Sequence, residues 1–214
     1  MENRVALVAG STGFIGGQLL ELLLSDTVYS KVIALSRKPL LISHPKLENI
    51  IVEANEIKDH KDFQADDVFC CLGTTIKQAK SKEAFRKIDF DYPLELARSL
   101  KANEAKQFLL VSALGANKNS GIFYNKVKGE VEEAIAKVGY TSFHILRPSL
   151  LIGPRKEARA GEDAAKLFYT IFGFMIPAKY KGIDSIKVAR AMVSFAKENK
   201  TGIFIHESGE LQRF

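Results

Sequence analysis

The chain has 214 residues, enough for one α/β domain with a sizeable core and too few for two comfortable ones. Hydrophobic residues make up 46% and charged residues 26%, an ordinary globular balance, and no stretch reaches the roughly 18 to 20 apolar residues of a membrane span. The formal charge of +6 and a pI of about 9.2 come from scattered lysines, without an arginine cluster or interleaved aromatics. No nucleic-acid partner is therefore expected, although a basic surface suits an anionic small ligand.

Residues 4–9 form a short apolar run that reads as a first strand, entered directly from Met1 with no signal peptide expected. After the glycine loop that follows, Phe14, Ile15, Leu19, Leu20, Leu22 and Leu23 recur at helical spacing up to Ser25 and Asp26. Further strands are expected at 31–35, 49–52, 67–72, 107–111 and 142–146, with helices at 89–101 and 122–138 between them. Continuous apolar strands alternating with helices predict a doubly wound Rossmann-type parallel sheet, helices on both faces, in a single domain over 1–214. Its ligand belongs beyond the carboxyl ends of the strands. After Pro148 the pattern is less regular, with helices expected at 164–172 and 185–197 and a short strand at 202–205. Residues 149–214 are read as a small cap facing the substrate. Cys70 and Cys71 are neighbours in an apolar run, point to opposite faces and do not bridge, which fits a reducing, cytoplasmic location.

Gly10, Gly13 and Gly16, in Gly10-Ser11-Thr12-Gly13-Phe14-Ile15-Gly16, lie between a strand and the opening of a helix. That context is the one in which such glycines bind a dinucleotide: one permits the turn, one lets a pyrophosphate approach the backbone, one lets helix and strand pack closely. The helix start then offers amides and a partial positive charge to the phosphates. At the end of the second strand stands Ser36-Arg37-Lys38, where an NAD enzyme usually carries a ribose-binding carboxylate. A guanidinium there can grip a 2′-phosphate with paired, charge-assisted hydrogen bonds, and Ser36 can add another, so NADP(H) is the expected cofactor.

The fifth strand ends at Ser112, and the next helix carries Tyr124 and Lys128, four apart and hence on one face. A phenol with its ordinary pKa near 10 is a poor acid–base catalyst at neutral pH, but a nearby ammonium favours its ionisation. Ser112 is placed to polarise a carbonyl, and Lys128 to hold the nicotinamide ribose as well.

These features resemble the short-chain dehydrogenase/reductase superfamily in its extended and atypical branches: the glycine loop, Ser112, Tyr124-x-x-x-Lys128, and Leu146-Arg147-Pro148 after the sixth strand. The runs Phe69-Cys70-Cys71-Leu72-Gly73-Thr74-Thr75 and Tyr124-Asn125-Lys126-Val127-Lys128-Gly129-Glu130-Val131-Glu132 are similar to those of the group around the human HIV Tat-interacting protein and its bacterial relatives. The resemblance implies bound NADPH, a Ser/Tyr/Lys catalytic set, Leu72, Gly73 and Thr74 lining the cofactor, and a segment from Pro148 passing the nicotinamide. It also implies a monomer or a homodimer, since helices at 89–101 and 122–138 pair subunits in many relatives. Ala113-Leu114 after Ser112 departs from the polar pair expected in the human protein.

His44, His60, His144 and His206 share no metal-like spacing, so no metal is expected. The apolar stretch 167–176 reads as core or as a lid over an apolar substrate. The leading function is an NADPH-dependent reductase of a small-molecule carbonyl, or the reverse oxidation of an alcohol. The alternative is an NADP(H)-binding sensor or protein-interaction module with little catalysis. A nucleotide-sugar epimerase is less favoured because the C-terminal region is short.

Overall fold

A computed structural model describes residues 3–53, 56, 63–153 and 181–214. The expected helix at 164–172 and the apolar stretch 167–176 lie outside the described residues. Side chains that alternate between the faces of apolar strands must be covered on both, and the chain meets that demand with one parallel sheet between two helical layers. Its strands are β1 (Arg4–Ala9), β2 (Tyr29–Ser36), β3 (Leu47–Ile51), β4 (Asp67–Cys70), β5 (Gln107–Val111) and β6 (Ser142–Arg147). A short pair, β7 (Leu151–Ile152) and β8 (Ile183–Asp184), lies apart from the sheet, and β9 (Gly202–Glu207) closes the list.

The seven-stranded sheet runs β3-β2-β1-β4-β5-β6-β9, and all its pairings are parallel. The winding reverses between β1 and β4, the place where a crevice opens in such sheets. Ala9 pairs with Leu35 on one side and Cys70 on the other, so Gly10, Ser36 and Cys71 leave the sheet level with one another.

One face carries Ala6, Val8, Val32, Ala34 and Phe69. It is covered by α1 (Gly16–Ser25) and α6 (Ser185–Lys197), which supply Leu19, Leu20 and Leu23 and then Val188, Met192 and Phe195. The other face carries Leu7, Ile33, Val68, Phe108, Phe143 and Ile145 under α4 (Tyr92–Ala102) and α5 (Phe123–Ala136). Each such apolar side chain contributes roughly 1.5–3 kcal/mol by leaving water. Cys70 belongs to one face and Cys71 packs against the other, both as free thiols.

Two regions differ from expectation. Between β4 and α4 the chain forms α2 (Ile76–Ala79), α3 (Lys82–Arg86) and a π-helical turn, Lys87–Asp91. And most of the expected cap belongs to the body of the fold: β9 pairs with β6 as the seventh strand, and α6 packs with α1 in a shared core. α6 covers the same face as α1, and the strand that follows it returns to run parallel beside β6 at the edge of the sheet. A last helix, α7 (Ser208–Leu211), follows β9. Residues 149–153 and 181–184 stay beside the carboxyl edge, with α7 bonded to them through Ser208–Ser149 and Gln212–Gly182.

Candidate functional site

The glycine loop is built by close approach. Gly10 has φ +83°, and a Cβ on it would stand 2.7 Å from the Cys71 carbonyl oxygen. A Cβ on Gly16 would run into the Gly10 carbonyl, so helix α1 can start here only without a side chain. The Gly13 amide donates to the Gly10 carbonyl at 2.9 Å, folding the loop back on the strand end. Ser11 is buried and its hydroxyl donates to the Leu35 carbonyl at 3.0 Å, pinning the loop to β2. Thr12 and Gly13 are exposed, Ile15 is buried, and the Phe14 ring is 3.0 Å from where a Cβ on Gly153 would stand. Among the described residues no group takes the amide hydrogens of Thr12, Ile15 or Gly16. Such donors at a helix start are what a phosphate uses, so the loop fits a dinucleotide pyrophosphate.

At the end of β2 the three expected residues divide. The Ser36 hydroxyl donates to the Lys38 carbonyl at 2.7 Å and accepts from Asn49 Nδ2 at 2.8 Å. It shapes the turn, and its hydrogen is already spent. Asn49 also accepts from the Leu40 amide at 2.9 Å, completing a brace that the sequence reading missed. Arg37 and Lys38 follow this turn, exposed and in no ion pair among the described residues.

Across the crevice, α5 presents Tyr124 and Lys128. The Tyr124 ring is half-buried against Phe85, centroids 5.4 Å apart, and its hydroxyl has no hydrogen-bond partner among the described residues. Lys128 is buried, with Nζ 2.7 Å from Asp89 Oδ1. Burial alone would depress its pKa, but Asp89 and then Tyr124 outweigh that and hold it above the usual lysine value. Asp89 Oδ2 accepts from the Thr74 amide at 2.9 Å. A Cβ on the exposed Gly73 would stand 3.5 Å from Lys128 Nζ. Gly73 and Thr74 therefore lie beside the Lys128–Asp89 pair. Pro148 is buried, and its carbonyl accepts from the Leu114 amide at 2.9 Å, which sets the chain leaving β6 against the chain leaving β5.

Ser112 is not brought to Tyr124. Its buried hydroxyl donates to Glu132 Oε1. Glu132 sits eight residues beyond Tyr124, about 12 Å further along the helix axis. The same carboxylate takes two hydrogen bonds from Arg147, Nε to Oε1 at 3.0 Å and Nη2 to Oε2 at 2.6 Å. Arg147 Nη1 reaches Glu207 of β9 at 3.1 Å. Ser112, Glu132 and Arg147 thus tie β5, α5, β6 and β9 together, and Ala113, with no hydroxyl, is the next residue. Asp89 and Glu132 are the partners that sequence reasoning missed. An isolated acid on a helix reads as solvated, and only the fold shows what it faces.

Residues 41–172 match the HIM1 family. "Protein HTATIP2" of Rattus norvegicus is 33% identical over 201 residues, covering 91% of this chain and 81% of the relative. "Protein FMP52-1, mitochondrial" of Scheffersomyces stipitis is 32% identical over 219 residues, covering 96% of each. Among solved structures, the Bordetella bronchiseptica enzyme WbmH in complex with NAD+ aligns with a TM-score of 0.74 at 16% identity, over 97% of this chain and 76% of that one. A short-chain dehydrogenase/reductase family oxidoreductase from Burkholderia thailandensis gives 0.72 at 16% identity, over 100% and 94%. At such identities these structures speak to the fold alone. The expected cytoplasmic location does not stand, because FMP52 relatives from several yeasts are named mitochondrial. The reduced cysteines on which it leaned record packing in a strand and carry no address. The chain belongs to the HIM1 family, is related to HTATIP2 and FMP52, and has the fold of the short-chain dehydrogenase/reductase structures it aligns with.

Proposed function

We propose that this protein is an NADP(H)-dependent oxidoreductase that reduces the carbonyl of a small molecule, or oxidises the matching alcohol, with Tyr124 as the proton-transfer residue. One observation carries the reading: the buried Lys128 stands beside the Gly73–Thr74 turn, at the carboxyl edge where the winding of the sheet reverses, and Tyr124, one helical turn before it on α5, has a hydroxyl with no hydrogen-bond partner among the described residues. Solved neighbours in complex with NAD support a nicotinamide dinucleotide. The choice of the phosphorylated form rests on Arg37 and Lys38, exposed at the end of β2 with no acid between them. The amides of Thr12, Ile15 and Gly16 would hold the pyrophosphate and Arg37 the 2′-phosphate.

Bound there, the nicotinamide supplies a hydride to, or takes one from, a substrate carbon. The Tyr124 hydroxyl gives its proton to the carbonyl oxygen in reduction and takes it back in oxidation. Lys128 supplies positive charge beside it and a donor toward the ribose. Ser112 is tied to Glu132, so Tyr124 carries the hydrogen bond to the reacting oxygen without the second hydroxyl expected from the sequence. That same observation favours a second reading, an NADP(H)-binding sensor with little catalysis.

The test is a binding titration with NADPH and NADH on wild type and Arg37→Ala, followed by a carbonyl panel with Tyr124→Phe. NADPH should bind more tightly than NADH, and Arg37→Ala should weaken NADPH about tenfold or more while leaving NADH unchanged. Loss of turnover in Tyr124→Phe, with NADPH binding kept, is the expected catalytic result. Binding without turnover across the panel selects the sensor, and failure to bind either nucleotide overturns both readings.

A further inference from the structure

Lys128 is an ammonium removed almost wholly from water, and the group that compensates it is not on its own helix. Asp89, whose side chain is fully buried, reaches it from the π-helical turn Lys87–Asp91. One carboxylate oxygen stands 2.7 Å from Nζ and the other accepts the Thr74 amide at 2.9 Å. A single buried carboxylate therefore joins the helix that carries Tyr124 to the turn that leaves β4. Gly73 lies over the pair: a Cβ there would stand 3.3 Å from Asp89 Oδ1. The turn itself is an independent sign, because π-helical turns are rare and gather at functional sites.

We propose that Asp89 is a positioning residue of this site, which holds Lys128 charged and fixed against the Gly73–Thr74 turn and balances its charge, so that Tyr124 faces an ion pair rather than a lone cation. The proposal rests on Tyr124 and Lys128 being the reacting pair. The groups acting on the ammonium are Asp89 from the π-helical turn, Tyr124 from α5 and Cys70 from β4. A lone ammonium beside a phenol favours phenolate, the form that accepts a proton. A balanced pair acts as a dipole whose influence falls off faster than that of a lone charge. Asp89 also couples the cofactor side to the proton-transfer side, since the amide it holds belongs to the turn beside the dinucleotide crevice.

The test is Asp89→Asn, nearly the same shape without the charge. Its first readout needs neither substrate nor cofactor: the Lys128 side-chain NMR signal, assigned by its absence in Lys128→Met, followed against pH. Burial without the carboxylate should bring deprotonation at least ~1 pH unit below wild type. NADPH should bind about tenfold more weakly. In Asp89→Asn/Lys128→Met no buried charge is left unpaired, so the double variant should bind NADPH no worse than Lys128→Met alone. If Asp89→Asn fails to fold, the double variant should fold. An unmoved Lys128 titration, additive losses in the double variant, or a double variant that also fails to fold overturns the proposal. With a carbonyl substrate in hand, Asp89→Asn should move the pH optimum of reduction downward and lower kcat more than it raises KM. Full turnover in Tyr124→Phe would instead remove the reading of the reacting pair, a result that leaves the Lys128 titration untouched.

Discussion

A hydroxyl at the end of a strand serves the group it faces, and Ser112 faces Glu132 rather than Tyr124. Ser112→Ala should therefore lower stability by about 1 kcal/mol, ~2–4 °C in Tm, and leave turnover within about twofold. Thermal denaturation read beside a rate assay checks this, and a fall on the order of a hundredfold in rate at unchanged Tm would return Ser112 to the reaction. The residue types of the candidate site were readable in the sequence as local spacing: glycines at a strand–helix turn, a cation after β2, a Tyr and a Lys four apart. The sequence could not show how each side chain was spent. Ser11 and Ser36 look like phosphate donors in the sequence, yet both hydroxyls brace backbone carbonyls.

Among the elements, the strand, loop and first helix were legible because their constraint is local. Gly16→Ala tests that constraint. The added methyl meets the Gly10 carbonyl, so loop or helix must shift, at a cost of roughly 1–3 kcal/mol. NADPH affinity should fall at least about tenfold with it, and a Gly16→Ala protein that binds NADPH normally would separate the loop from the cofactor. The elements between β4 and α4 were missed because four- and five-residue helices have no room for apolar periodicity. Their signals were caps: Thr75 Oγ accepts the Gln78 amide at 3.2 Å and Ser81 Oγ the Ala84 amide at 3.0 Å. A Thr or Ser three residues ahead is a readable helix start. The π-helical turn that delivers Asp89 left no such trace.

At the scale of the molecule, β6, β9 and α7 share a buried hydrogen-bonded chain. Ser142 Oγ lies 3.0 Å from His144 Nε2, His144 Nδ1 lies 3.0 Å from His206 Nε2, and His206 Nδ1 lies 3.2 Å from Glu210. Burial, and then His206, push the His144 pKa down to about 4. The unfolded chain, with an ordinary histidine near 6.5, binds that proton first. His144 thus adds stability that is complete above pH ~6.5 and is lost as pH falls towards 4, on the order of 2 kcal/mol. Urea unfolding of wild type and His144→Gln across that range should show the shallower slope in the variant, and equal slopes would remove His144 as the cause.

By itself the sequence determined the doubly wound parallel sheet, the glycine loop between the first strand and helix, and a helix that carries Tyr124 and Lys128 one turn apart, because each rests on periodicity or spacing over a few residues. Only the tertiary structure decided that β9 completes the sheet, that Ser112 belongs to Glu132 and Arg147, and that Asp89 belongs to Lys128. Those pairings join groups 20 to 60 residues apart. A buried charge or hydroxyl must find its partner in three dimensions, and local spacing does not say which one it finds.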